Sequence, residues 1–154
     1  MSPRGKPLTQ EMAQQLTQEP RLTILCGRYE GVDQRLLDAY GAEEISIGDY
    51  VLSGGEQAAM ILLDAVIRLL PEAIGNMETH NEESFTRHLL EYPHYTRPAE
   101  WEAPDGIIHK VPEVLTSGHH ARIEAWRQAE SEKLTAARRP DLFAKYLEIS
   151  KKTE

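Results

Sequence analysis

Two glycine-bracketed turns constrain this chain more than any other feature. The first, Gly27-Arg28-Tyr29-Glu30-Gly31-Val32-Asp33, follows the apolar run of residues 21–26. The second, Gly48-Asp49-Tyr50-Val51-Leu52-Ser53-Gly54-Gly55, follows Ile45-Ser46-Ile47. Both preceding runs read as buried strands. Each turn then leads into a segment of helical character. Residues 33–39 form the first, with Asp33 as a natural cap. Residues 57–70 form the second, almost continuously apolar and too long for a strand, so a core helix is expected. Strand, glycine turn and helix, twice over, is the pattern of an α/β layer, where ligands sit beyond the carboxyl ends of the strands. Glycine permits φ > 0 and lets backbone approach a ligand with no Cβ between them. Ser53-Gly54-Gly55 would also offer its amides at the start of the long helix, where polar or negative atoms are favoured. A plain strand-to-helix turn explains one such glycine pair equally well; the second turn favours a site. Neither matches GxGxxG or GxxxxGK[ST], so a nucleoside triphosphate is not expected. A small ligand held mostly by backbone groups is.

The flanking segments are read around that frame. In residues 2–8 the alternation of Pro3, Gly5 and Pro7 points to a loop. Thr9 caps a helix with Leu8, Met12, Ala13 and Leu16 on one face, closed by Pro20. On the long helix Arg68 stands four residues after Asp64, which suits either a structural pair or a chemical role. Residues 75–83 read as a mobile polar loop and residues 84–90 as one or two helical turns. Residues 91–98 are extended, because Pro93 and Pro98 push their predecessors out of the α region. Their Tyr92, His94, Tyr95 and Arg97 suit stacking on bases, or packing of a linker on a surface. Residues 101–112 read as irregular. Ser117 is expected to cap a helix with Ile123 and Trp126 on one face. His119 and His120 are adjacent, not three or four apart, so they make no helical metal pair, and no metal site is expected. A last helix carries Leu142, Phe143, Tyr146 and Leu147 on one face.

Composition sets limits on function. The chain has 154 residues, 40% of them hydrophobic, enough for one cored domain with a small appendage. A single cysteine, Cys26, excludes a disulfide framework and reads as a buried strand thiol. No signal-peptide core or membrane-length apolar run is present, and a cytoplasmic protein without a membrane partner is expected. The net charge is −8, but unevenly spread: residues 1–116 hold 9 basic and 19 acidic side chains, residues 117–154 hold 8 and 6. The basic end permits contact with a polyanion without requiring it.

Four motifs together resemble one family. They are Leu25-Cys26-Gly27-Arg28-Tyr29-Glu30-Gly31-Val32-Asp33; Ser46-Ile47-Gly48-Asp49-Tyr50-Val51-Leu52-Ser53-Gly54-Gly55-Glu56; Pro93-His94-Tyr95-Thr96-Arg97-Pro98; and Val114-Leu115-Thr116-Ser117-Gly118-His119-His120. In that order they resemble the bacterial tRNA (guanine-N1)-methyltransferases, over essentially the whole chain, and Ser2-Pro3-Arg4-Gly5 resembles that family's first cofactor loop. The resemblance implies a SPOUT-type α/β fold, a parallel sheet whose backbone forms a trefoil knot, followed by a small all-α domain. It divides the chain into a cofactor-binding portion (residues 1–90), an interdomain linker (91–111) and a helical tRNA-contacting domain (112–154). It implies that S-adenosyl-L-methionine is held by Pro3, Gly27, Tyr29, Glu30, Ser46, Ile47, Gly48, Asp49, Tyr50, Val51, Leu52, Gly54 and Gly55. The reaction implied is methyl transfer to N1 of the guanosine 3′-adjacent to the tRNA anticodon. Arg68 is then the stabilising cation and Glu83 the base; the family has aspartate at the position of Glu83, so the carboxylate is kept and a methylene added. His94, Tyr95, Arg97, Ser117, His119 and His120 fall in the RNA-contacting motifs. The family also implies a homodimer with the active site shared between subunits, and Mg2+ as an accessory. Family members carry about a third more chain before Ser2, so Met1 reads as an internal methionine and the sheet as N-terminally truncated. The rival expectation is a catalytically silent tRNA-binding fragment.

Overall fold

The computed structural model describes residues 1–71, 73 and 83–153. It divides into two compact units, Met1–His80 and Asn81–Glu154. Residues 83–90, expected with the cofactor-binding portion, belong to the second. The loop expected over residues 75–83 lies outside the described residues, Glu83 excepted.

The first unit is α/β. A two-residue strand β1 (Lys6–Pro7) pairs in parallel with β2 (Ile45–Ser46), in the register Lys6 with Ile45 and Pro7 with Ser46. The loop expected over residues 2–8 therefore contains a strand. A parallel ladder uses only alternate donors, here the Lys6 N–H to the Glu44 carbonyl (2.9 Å) and the Leu8 N–H to the Ser46 carbonyl (2.7 Å). Pro7 falls between them, where its missing N–H costs nothing. Gly5 lies directly against the Glu44 backbone, where any Cβ would collide.

Helix α1 (Gln10–Leu16) begins at Thr9, whose hydroxyl accepts the Met12 N–H at 3.2 Å, as its sequence predicts. Helix α2 (Gln34–Tyr40) begins at Asp33, whose carboxylate accepts the Arg35 N–H at 2.9 Å, and ends at Gly41 with φ 58°. The expected strand over residues 21–26 forms no ladder with any described strand; its contacts are single ones, such as the Met1 amine on the Leu25 carbonyl at 2.9 Å. Cys26 is accordingly only half-buried. Helix α3 (Glu56–Ile67) packs on α1, and Ala13, Ile45, Leu62 and Val66 form the core, flanked by Leu8, Leu16 and Leu22. The expectation of a core helix holds for one stripe: Met60, Ile61 and Ile67 on its other faces are exposed.

The second unit opens with a tight loop rather than the helical turns expected over residues 84–90. Phe85 (φ 78°) and His88 (φ 57°) take left-handed conformations that no helix accommodates, closed by the Phe85 N–H on the Leu89 carbonyl at 2.8 Å. Residues 101–112, expected to be irregular, contain an antiparallel hairpin of β3 (Glu100–Glu102) and β4 (Ile108–Lys110). Its turn is Ala103-Pro104-Asp105-Gly106, with Gly106 at φ 83° and the Asp105 carboxylate accepting the Ile107 N–H at 3.0 Å. Helices α4 (Glu113–Thr116), α5 (His120–Arg138) and α6 (Pro140–Thr153) follow. Ser117 ends α4, and the cap position of α5 is His119, so the expected Ser117 cap moves by two residues. Leu142, Phe143 and Tyr146 face inward on α6, while Leu147 is 41% exposed.

A cavity walled by two glycine turns

The two glycine turns meet. The Gly55 N–H donates to the Gly27 carbonyl at 2.9 Å, and Arg28 and Gly54 form an antiparallel bridge. A Cβ at Gly55 would stand 2.9 Å from the Cys26 Cα, so the contact is backbone on backbone. Around it opens a cavity of about 530 Å³, within the range typical of small-molecule sites. Of the residues expected to hold a cofactor, Pro3, Gly27, Tyr29, Glu30, Ser46, Ile47, Gly48, Tyr50, Val51, Leu52, Gly54 and Gly55 line it. Asp49 does not; it is exposed outside the lining.

Local geometry explains the glycines. Gly48 sits at φ 147°, and a Cβ there would lie 2.5 Å from Cε1 of the Tyr50 ring, which folds back so that its hydroxyl donates to the Ile47 carbonyl at 3.1 Å. The Ser46 hydroxyl ties this bend, donating to the Gly48 carbonyl at 3.1 Å and accepting its N–H at 3.2 Å. On the other turn Tyr29 is left-handed (φ 57°) and 99% exposed, with Gly31 at φ 108° behind it. A non-glycine residue so held costs about 1–3 kcal/mol, a cost the surrounding contacts must cover.

The start of α3 differs from its expectation. Of the three amides expected to face a ligand, that of Gly55 is engaged within the chain, on the Gly27 carbonyl. Its own backbone and the Arg28 guanidinium, 2.9 Å away, hold the Glu56 carboxyl below the usual carboxylate range. Sequence reasoning did not single out Arg28 and Glu56 as partners, because they are 28 residues apart with no periodic relation.

Arg68 is the C-cap of α3, half-buried, its N–H donating to the Asp64 carbonyl at 3.2 Å. Glu83 belongs to the second unit and is half-buried, its carbonyl accepting the Thr86 N–H at 3.4 Å.

In the second unit the expected RNA-contacting residues lie at the surface, braced from below. His94 Nε2 is 2.9 Å from the Glu91 carboxylate, and its ring stands 5.0 Å from that of Tyr92. The Tyr95 ring is 6.2 Å from Trp126 of α5, and the Arg127 guanidinium lies 4.8 Å above the Tyr92 ring, a cation–π geometry. The extended segment is thus packed on a helix, and it still exposes His94, Tyr95 and Arg97. Ser117, His119 and His120 are exposed too; the Ser117 hydroxyl donates to the Val114 carbonyl at 2.7 Å and accepts the His119 N–H at 3.2 Å. Among the described residues no group of three His, Cys, Asp or Glu side chains could hold a metal ion. None of the described helices is long and apolar enough to cross a membrane.

Fold and cavity define an α/β unit with a cavity of small-molecule size, followed in the chain by a second, mainly helical unit. A family model described as tRNA (Guanine-1)-methyltransferase TrmD matches residues 1–145, and the chain belongs to that family. It is 62% identical over 147 residues to a tRNA (guanine-N(1)-)-methyltransferase of Rhodospirillum rubrum, covering 96% of this chain and 59% of the relative. Proteins of the same name from Mesorhizobium japonicum and Rhizorhabdus wittichii are each 58% identical, over 93% and 95% of this chain and 60% and 57% of their own. The chain thus spans about three fifths of the length of these curated relatives.

Proposed function

We propose that this chain binds S-adenosyl-L-methionine in the glycine-walled cavity and takes part in methylating tRNA at N1 of the guanosine 3′-adjacent to the anticodon. The observation that carries the reading is the coincidence of that cavity with the residues the family motifs mark, in a chain matched by the family over residues 1–145. The fit is physical: at Gly48 and Gly55 a Cβ would strike the Tyr50 ring and the Cys26 backbone, so glycine is what lets the two turns fold into the walls of a cavity of small-molecule size.

When bound, S-adenosyl-L-methionine supplies an electrophilic methyl group. Guanine N1 carries a proton at neutral pH, so a base must take it as the N1–C bond forms. Glu83 is the residue we assign to that proton. Charge then develops toward O6, and the Arg68 guanidinium is assigned to stabilise it. His94, Tyr95, Arg97, Ser117, His119 and His120 are assigned to the tRNA, on a surface where exposed rings stack and cations meet phosphate. The SPOUT trefoil knot, the homodimer with a shared active site, the division at residues 90 and 112, and a cytoplasmic location belong to the same proposal.

Calorimetric titration of S-adenosyl-L-methionine into the 154-residue chain tests it. Stoichiometric binding that falls at least about tenfold in Gly48→Val, where a β-branched side chain meets both the positive φ and the Tyr50 ring, is the expected result. Equal affinity of wild type and variant would overturn the cavity assignment. Methylation of tRNA, run with and without Mg2+, reads the metal requirement that the resemblance implies. Salt-sensitive tRNA binding with no cofactor binding would instead identify a catalytically silent tRNA-binding fragment.

A further inference from the structure

We propose that Arg28 and Glu56 form a positioning latch that sets the spacing of the two cavity turns, and with it the affinity for the cofactor. The inference rests on the reading of the cavity given above. Arg28 lies inside the first turn, between Gly27 and Tyr29; Glu56 is the first residue of α3, directly after the second. The Arg28 Nε–H donates to Glu56 Oε1 at 2.9 Å. Three features make the pair more than a surface ion pair. Gly54 passes so close beneath it that a Cβ would collide with the Glu56 carboxylate and stand 3.5 Å from the Arg28 Cγ, so the second turn is threaded under the pair. Glu56 is also the first residue of α3, so its carboxylate stands on the end of a rigid helix and fixes where Arg28 must come. Finally, Arg28 precedes the left-handed Tyr29, so its anchorage constrains a bend that the chain would otherwise relax.

Neither residue transfers a group; both act by holding Gly27, Tyr29, Glu30, Gly54 and Gly55 at one separation. Because the pair is largely exposed, its contribution to global stability is small. Its effect is local, on the loops, and is screened by salt.

The test is a double-mutant cycle on the full chain with Arg28→Gln, Glu56→Gln and the double variant. Two readouts are needed: the Kd for S-adenosyl-L-methionine, and amide hydrogen exchange of residues 27–32 without cofactor. Each single variant is expected to raise Kd about fivefold, near the upper end for an exposed pair, with the thermal midpoint unchanged. The double variant should lose no more than either single one. Arg28→Lys should recover part of the affinity, and high salt should shrink the difference. Arg35→Gln, which breaks the exposed Asp33–Arg35 pair outside the latch, should leave Kd as it is. Losses that add in the double variant, or no change in Kd, would overturn the latch. Should the wild type bind no cofactor, the cavity reading falls, and exchange then decides the latch alone. Faster exchange at residues 27–32 in Glu56→Gln upholds it; unchanged exchange overturns it.

Discussion

The two units of this chain differ in the closest contacts that hold their irregular segments, although side chains such as Ser46 and Arg28 also serve the first. In the first, backbone meets backbone: Gly5 lies on Glu44, Gly55 on Cys26 and Gly27, and no side chain intervenes. In the second, side chains reach across. Thr135, with no exposed surface, accepts the Leu90 N–H at 2.8 Å while donating to the Ser131 carbonyl at 2.6 Å. The Ser84 hydroxyl accepts the Glu91 N–H at 3.0 Å, and the Tyr146 hydroxyl donates to Glu132 at 2.8 Å while accepting from Gln128 at 3.1 Å. The first design brings two loops together at the wall of a cavity. The second leaves side chains on the surface and spends its polar interior on fixing them. Backbone-built sites are brittle to added atoms, whereas side-chain-built ones are brittle to lost ones.

The largest expected effect sharpens this contrast. Gly5→Val, which drives a branched side chain into the β2 backbone, should destabilise the first unit by about 3–5 kcal/mol in urea unfolding followed by circular dichroism. Both tryptophans, Trp101 and Trp126, lie in the second unit, so their fluorescence follows that unit alone. An equal shift of the fluorescence midpoint would break the division into two units. Next comes Thr135→Val, similar in shape but unable to accept from Leu90, which strands a donor and should cost about 1–3 kcal/mol by fluorescence-monitored unfolding. Thr135→Ser, which keeps the hydroxyl, should cost less; equal losses would mean that packing and not the hydrogen bond matters there. The smallest effect concerns Asp141. The Arg139 guanidinium, donating at 2.6 and 2.9 Å, lowers its carboxyl from 3.8 to about 2. A carboxyl held below its unfolded value stabilises above that value and loses the effect as pH falls through the folded one. Acid unfolding of the second unit should therefore steepen between pH 3.8 and about 2, and Asp141→Asn should flatten that stretch.

The same contrast governs what the sequence reveals. Gly48, Gly54 and Gly55 were legible because a backbone-built site has few alternatives to glycine, and Thr9 and Asp33 because a cap is a local hydrogen bond. The partnership of Arg28 with Glu56, and of Thr135 with Leu90, was not, since each pair is far apart in sequence and uses ordinary surface or helix residues. The hairpin from Glu100 to Lys110 was missed for another reason. Its Pro-Asp-Gly turn is a proper signal, but every strand residue is exposed, so no alternation marks the strands. Residues 21–26 erred the other way, apolar enough for a strand yet lacking a ladder partner among the described residues.

The register of β1 carries one more consequence. Lys6 donates to Glu44, just before β2, and Leu8 to Ser46 within it, and Pro7 occupies the silent slot between them. The exposed Lys6 side chain can therefore change widely over generations, while the number of residues cannot. Losing or gaining a single codon between Gly5 and Pro7 would turn the imide into a required donor and leave a carbonyl of β2 unanswered. This stretch should drift in spelling but never in length.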